Sequence, residues 1–258
     1  MTRQGSAAAT PPKEALMSSE ADRTRRSFLC ASLGTSTGLV LAGCISPSRN
    51  LEGEPRQADG AAGGEEVSPA EDLMREHGVL NRVLLVYEEC VRRIEAKQDL
   101  PPEPLADSAK LVRTFIEDYH EKLEEEHLFP RYRKAGKLVD LVDVLTAQHK
   151  AGRKVTERIE GLATLRSLRI ADEARELVTQ IRQFIRMYRP HEAREDTVLF
   201  PVLHQIVSHN EYDALGEDFE RIEHQQLGEE GFERAVERIA EIERKLGIFD
   251  LSQFTPAV

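Results

Sequence analysis

The segment His120-Glu121-Lys122-Leu123-Glu124-Glu125-Glu126-His127-Leu128-Phe129-Pro130 recurs in reduced form as His191-Glu192-Ala193-Arg194-Glu195-Asp196-Thr197-Val198-Leu199-Phe200-Pro201. Both copies read His-Glu-x-x-Glu, a second acid, two variable residues and Leu-Phe-Pro. Positions four apart on a helix lie about 40° apart around its axis, so His120 and Glu124 project from one face, as do His191 and Glu195. An imidazole and a carboxylate at that spacing form a two-toothed arm for a transition metal, suited to iron, manganese or zinc. Two such arms predict a two-metal site.

The duplication is larger than these segments. His77 lies 43 residues before His120, and His149 lies 42 before His191. The chain therefore carries two copies of a unit, a His followed by His-x-x-x-Glu, offset by about 70 residues. Two copies are too few for a short-period solenoid.

Composition bounds the class. The 258 residues are 40% hydrophobic and 31% charged, enough for one sizeable core. A net charge of −11 excludes nucleic acid as the expected partner, because a phosphate-binding protein presents a basic face. After residue 68, Leu, Glu, Arg and Ala dominate, which is helix-forming composition.

The first 67 residues differ in kind. Thr24-Arg25-Arg26-Ser27-Phe28-Leu29 resembles the twin-arginine export signal, and the run from Ala31 to Gly43 is too short to span a bilayer. Leu41-Ala42-Gly43-Cys44 resembles the lipobox of bacterial lipoproteins, which implies cleavage before Cys44 and a lipid on its sulfur. Residues 1–43 are thus expected to be a signal peptide, with translation starting at Met1 or Met17. Residues 44–67, rich in Gly, Ala, Glu and Pro, are expected to form a flexible linker to a bacterial membrane, on the periplasmic side or at the cell surface. Twin-arginine export carries folded proteins, so the resemblance implies that metal is chosen in the cytoplasm. Cys90 is the one cysteine beyond this region, which leaves no partner for an intrachain disulfide.

From residue 68 onward an all-α domain is expected. Ser68-Pro69-Ala70-Glu71 is a helix start, with Ser68 as cap and Glu71 closing a capping box. Leu73, His77, Leu80, Leu84 and Tyr87 form one stripe continuing to about Lys97. A second helix, from about Ala106 to His127, places Ala109, Val112 and Ile116 ahead of His120 and Glu124. Buried carboxylates such as Glu124 demand a cation or a proton, whereas Glu125 and Glu126 read as a solvated face. Gly136 breaks the chain. A third helix, from about Lys137 to Leu165, carries Leu138, Val142, Leu145, His149 and Ile159. A fourth, from about Ala171 to Leu199, carries Leu177, Ile181, Phe184 and Tyr188 into His191, with Pro190 expected to kink it. Residues 211–224 and 232–246 read as two further amphipathic helices covering one side or end. His127, His204, His209 and His224 fall outside the repeat and read as surface or supporting residues.

With these residues in place, the sequence resembles the hemerythrin-like, or HHE cation-binding, family over residues 68–203, leaving 204–258 as a helical extension. The resemblance implies an antiparallel four-helix bundle around a non-heme di-iron centre. His77 and His120 would serve one iron, His149 and His191 the other, with Glu124 and Glu195 bridging. Dioxygen carriers of the family have a fifth His one turn beyond the third-helix ligand. Here that place is Arg153, and its counterpart after His77 is Asn81. The resemblance therefore implies a four-His variant with an open position for water, peroxide, nitric oxide or a carboxylate such as Glu121 or Glu192. The expected ligands are small oxygen or nitrogen species, with redox chemistry at the metals if the protein is an enzyme. Storage or sensing without turnover, and a plain structural bundle, are the alternatives. A ferritin-like oxidase is disfavoured, because Glu124-x-x-His127 has no second Glu-x-x-His on a partner helix.

Overall fold

The computed structural model describes residues 67–256, all within the unit that begins at Val67. The proposed signal peptide, the lipid site Cys44 and most of the linker lie outside the described residues.

Ser68 opens the first helix, α1 (Pro69–Glu95): its side chain accepts from the Glu71 amide, and Pro69 occupies the first turn, where a missing N–H costs nothing. The second helix, α2, runs without a break over residues 102–135, followed by α3 (Val139–Leu162), the short α4 (Leu165–Arg169), α5 over residues 171–206, α6 (His209–Leu227) and α7 (Gly231–Leu246). A 3₁₀ turn (Leu251–Phe254) follows, and there is no strand among the described residues.

The apolar stripes close on one another. Leu73, Leu80, Leu84 and Tyr87 of α1, Ala109, Val112 and Ile116 of α2, Val142, Leu145 and Ile159 of α3, and Leu177, Ile181, Phe184 and Tyr188 of α5 are all buried. Helix α1 packs on α2 and α5, and α3 packs on the same two, so the four long helices enclose a shared core. Helix α7 packs on α1 and α2, with α6 against α1 and α7. Arg82 of α1 donates to Glu243 of α7 at 3.0 Å, anchoring this outer layer. None of the described helices is long and apolar enough to cross a membrane.

Three expectations change. The second helix starts at Pro102 rather than near Ala106: the first N–H groups of a helix have no intrahelical partner anyway, so Pro102 and Pro104 fit its first turn. Leu138 is left-handed (φ 50°) and precedes α3 instead of belonging to its stripe. The second and fourth helices do not end near His127 and Leu199, ahead of the two Phe-Pro pairs. Each pair lies within a continuous helix whose preceding turn has widened to π geometry, at Glu124–Leu128 in α2 and at Glu195–Leu199 in α5. Proline removes one hydrogen bond and crowds the carbonyl four residues earlier; a widened turn relieves both conflicts, and the chain continues helically beyond it. Helix α2 ends instead at Gly136, whose φ of 64° suits a residue without a Cβ. Pro190 lies within helical residues throughout.

Candidate metal centre

Each of the four long helices delivers one histidine to the same level of the core: His77, His120, His149 and His191, none more than 4% exposed. Glu124 and Glu195 stand among them at 0% exposure. The paired rings lie close, with His77 and His120 centroids 4.7 Å apart and those of His149 and His191 5.0 Å apart. The repeated phenylalanines brace them, Phe200 stacking on His77 and Phe129 on His149.

The hydrogen-bond pattern decides which ring nitrogen faces inward. Every Nδ1 donates outward: His77 to Asp196 at 2.7 Å, His120 to Glu76 at 2.8 Å, His149 to Glu125 at 3.2 Å and His191 to Gln148 at 2.9 Å. A neutral imidazole with its proton on Nδ1 presents a bare lone pair on Nε2. All four Nε2 atoms point at the two glutamates. Glu124 Oε2 lies 3.3 Å from His149 and 3.9 Å from His120. Glu195 Oε2 lies 3.1 Å from His191 and 3.4 Å from His77. Each carboxylate therefore spans two histidines from different helices.

The electrostatics mark the same place. None of the four oxygens of Glu124 and Glu195 takes a hydrogen bond. Burial and the nearby charge of Glu195 push the Glu124 carboxyl up. Glu195 is held below the usual range by His191 and His77, against the cost of burial. Burial lowers His120 to about 4. For His149 burial acts in the same direction, but the nearby Glu124 carboxylate and the bond to Glu125 outweigh it and lift the ring to about 10. His77 is raised likewise, burial being overcome by Asp196 and Glu195. Buried, unbonded carboxylates facing imidazole lone pairs need a cation or protons between them.

The donors fit a metal. Glu124, His149, His191 and Glu195 offer ligand atoms within 4.8 Å of one another, and so do His77, His120 and Glu124. Two nitrogens bound to one ion at about 2.0–2.1 Å stand roughly 3 Å apart, which is the separation of the His149 and His191 Nε2 atoms, 3.2 Å. Four buried imidazoles with two carboxylates make a nitrogen–oxygen set suited to a transition ion.

All six residues expected from the sequence converge, and the other candidates separate from them. Glu121 Oε1 accepts from Tyr188 Oη at 2.7 Å, and Oε2 pairs with Arg153 at 2.7 Å. Asn81 donates to Glu192, whose carboxyl burial pushes up to about 8. His204, His209 and His224 are exposed, and His127 meets Phe219 edge-on. Cys90 is free and buried, its thiol pushed up to about 12 by burial, so it is a poor nucleophile. Glu125 is a correction: it lies not on a solvated face but against His149 and Arg153. The supporting acceptors were missed, although a signal exists. Glu76 and Gln148 directly precede His77 and His149, and Glu125 and Asp196 directly follow Glu124 and Glu195, so these polar positions repeat with the ligands.

The fold and site define an all-helical protein with a buried histidine–glutamate cluster able to bind metal. The hemerythrin HHE cation-binding domain family matches residues 68–203. The chain is also 48% identical over 192 residues to the uncharacterized protein Mb2018 of Mycobacterium bovis, covering 74% of this chain and 75% of that one. The uncharacterized proteins MT2051 and Rv1995 of Mycobacterium tuberculosis match with the same identity and coverage. The chain belongs to the hemerythrin HHE cation-binding family. No solved structure matches it.

Proposed function

We propose that this is a hemerythrin-like non-heme di-iron protein that binds or reacts with dioxygen, peroxide or nitric oxide. In this reading α1, α2, α3 and α5 form an antiparallel four-helix bundle, and His77, His120, His149, His191, Glu124 and Glu195 hold two ions. One observation carries it: the Nε2 atoms of His149 and His191 face each other at 3.2 Å while both Nδ1 atoms donate elsewhere. Two lone pairs in that position repel unless a proton or a metal ion lies between them.

Glu124 and Glu195 supply the negative charge that two ions require, and each joins two histidines, so both are suited to bridge. Glu76, Glu125, Gln148 and Asp196 fix the Nδ1 tautomers and aim the rings. Bound there, iron would supply Lewis acidity and one-electron redox chemistry toward small oxygen or nitrogen species. The stretches around Arg25-Arg26 and Leu41–Cys44 support placement outside the cytoplasm, tethered by a lipid on Cys44. Storage or sensing without turnover is favoured by the near-complete burial of all six ligands, which limits direct access of substrate.

The test is metal content and optical absorption of the full chain, prepared from iron-rich medium without chelator, before and after peroxide. Two irons per chain are expected, with near-ultraviolet bands altered by peroxide. Glu124→Ala, at a residue common to both ligand groups, should cost more metal than His77→Ala. Peroxide consumption separates turnover from storage. Zinc, manganese or no metal in iron-rich preparations overturns the di-iron assignment.

A further inference from the structure

Beside the proposed centre lies a second convergence of ligands. Glu121, Glu125 and His149 offer atoms within 4.8 Å of one another. This group uses the outward nitrogen of His149: Nδ1 stands 3.2 Å from Glu125 Oε1. Glu121 is 1% exposed and Glu125 mostly buried, so two carboxylates at this place carry a desolvation cost that a cation must offset.

A cation is already there. Arg153, one turn beyond His149 on α3, places Nη2 2.7 Å from Glu121 Oε2 and Nη1 2.8 Å from Glu125 Oε1. The same guanidinium reaches the Glu117 carbonyl at 3.4 Å, and Arg113 holds the Arg153 carbonyl at 3.1 Å. Tyr188 takes the remaining oxygen of Glu121, and Lys122 pairs with Glu125 at 2.7 Å. The arginine thus spans both carboxylates with its fork, a geometry that an ammonium reproduces in charge but not in shape.

We propose that Arg153 is a built-in counter-cation, filling a three-ligand pocket of Glu121, Glu125 and His149 Nδ1 that would otherwise take up a divalent ion. Filling it has two effects. Glu125 stays available to accept from Nδ1, which turns Nε2 toward Glu124. Glu121 is kept off the metal. Arg153 is in this sense a positioning residue that sets how many ions the chain holds. The part concerning Nε2 rests on the metal centre proposed above; the counter-cation claim does not.

The experiment is titration of the full chain, stripped of metal, with zinc ion alone, followed by bound zinc per chain after desalting. Arg153→Ala should bind one more zinc per chain than the wild type. Arg153→Lys, which keeps the charge, should show the wild-type count, and Glu121→Gln added to Arg153→Ala should abolish the extra ion. An unchanged count in folded Arg153→Ala overturns the proposal. If that variant does not fold without metal, zinc must restore its helical circular dichroism, since the ion replaces the guanidinium; failure to do so also overturns it. A wild type that binds no zinc sinks the metal centre, yet one ion gained by Arg153→Ala still supports the counter-cation.

Discussion

Gln148 accepts the Nδ1 proton of His191 at 2.9 Å, while Gln148 itself directly precedes the neighbouring His149. Helix α3 therefore both contributes one histidine to the cluster and orients another on α5. The half-buried amide has no other assigned bond, which makes it the cleanest of the four supporting groups to remove. Gln148→Ala should weaken metal affinity about 10- to 100-fold. Competition against a chromophoric chelator measures this; an unchanged affinity means that packing alone orients His191.

Metal uptake should release protons. In the metal-free protein His149, lifted to about 10, is charged at neutral pH, and His77 is also raised. A ligand nitrogen must be free of its proton, so affinity should rise with pH, by about tenfold per unit for each proton displaced. Calorimetry in buffers of different ionisation enthalpy counts those protons. The same shift affects folding. A histidine raised above its unfolded value of about 6.5 stabilises fully below that pH, and the contribution is lost as pH climbs toward about 10. Metal-free protein should weaken over that window. A heat of binding that is independent of buffer contradicts the account.

Gly152 and Tyr188 share one space. A Cβ at 152 would stand 2.1 Å from Tyr188 Oη and 2.9 Å from its Cζ, in a buried position where neither helix yields readily. Gly152→Ala should displace the phenol, break its bond to Glu121 and destabilise by roughly 1–3 kcal/mol. In a Tyr188→Leu background most of that penalty should vanish. Urea unfolding of the two single variants and the double variant measures the coupling, and purely additive effects refute it.

Glu117 is fully buried beside Arg113, and burial pushes its carboxyl up to about 7 against the pull of Arg113 and Arg153. The folded state then binds more protons than the unfolded chain between the ordinary carboxylate range and neutrality. Stability should fall as pH rises through that window, with a slope of at most about 1.4 kcal/mol per unit from this group. Glu117→Gln removes this contribution to the slope. Unfolding free energies at pH 5 and pH 8 should differ less in the variant than in the wild type; equal differences dismiss the assignment.

Much of this was legible along the chain because it depends on period and repetition. His120 and Glu124, or His191 and Glu195, share a face by helical geometry alone, and the offset of His77 and His149 marks them as members of the same units. The Ser68 cap and the buried stripes are similarly local. The helix ends expected near His127 and Leu199 moved for a local reason too: at Pro130 and Pro201 a widened turn accommodates the ring, an outcome that residue identity does not distinguish from a helix end.

Other features depend on which helices become neighbours. Glu125 sits in a run of three glutamates, and nothing in that run separates the exposed Glu126 from the residue that holds His149. Arg153 reads along α3 as a missing histidine; only α2 packed beside it shows a cation paired with two buried carboxylates. The sequence by itself determined the helices, the six converging side chains and the family. Tertiary structure decided the tautomers, the acceptors behind each ring and the role of Arg153, because hydrogen bonds and ion pairs between helices follow distance in space.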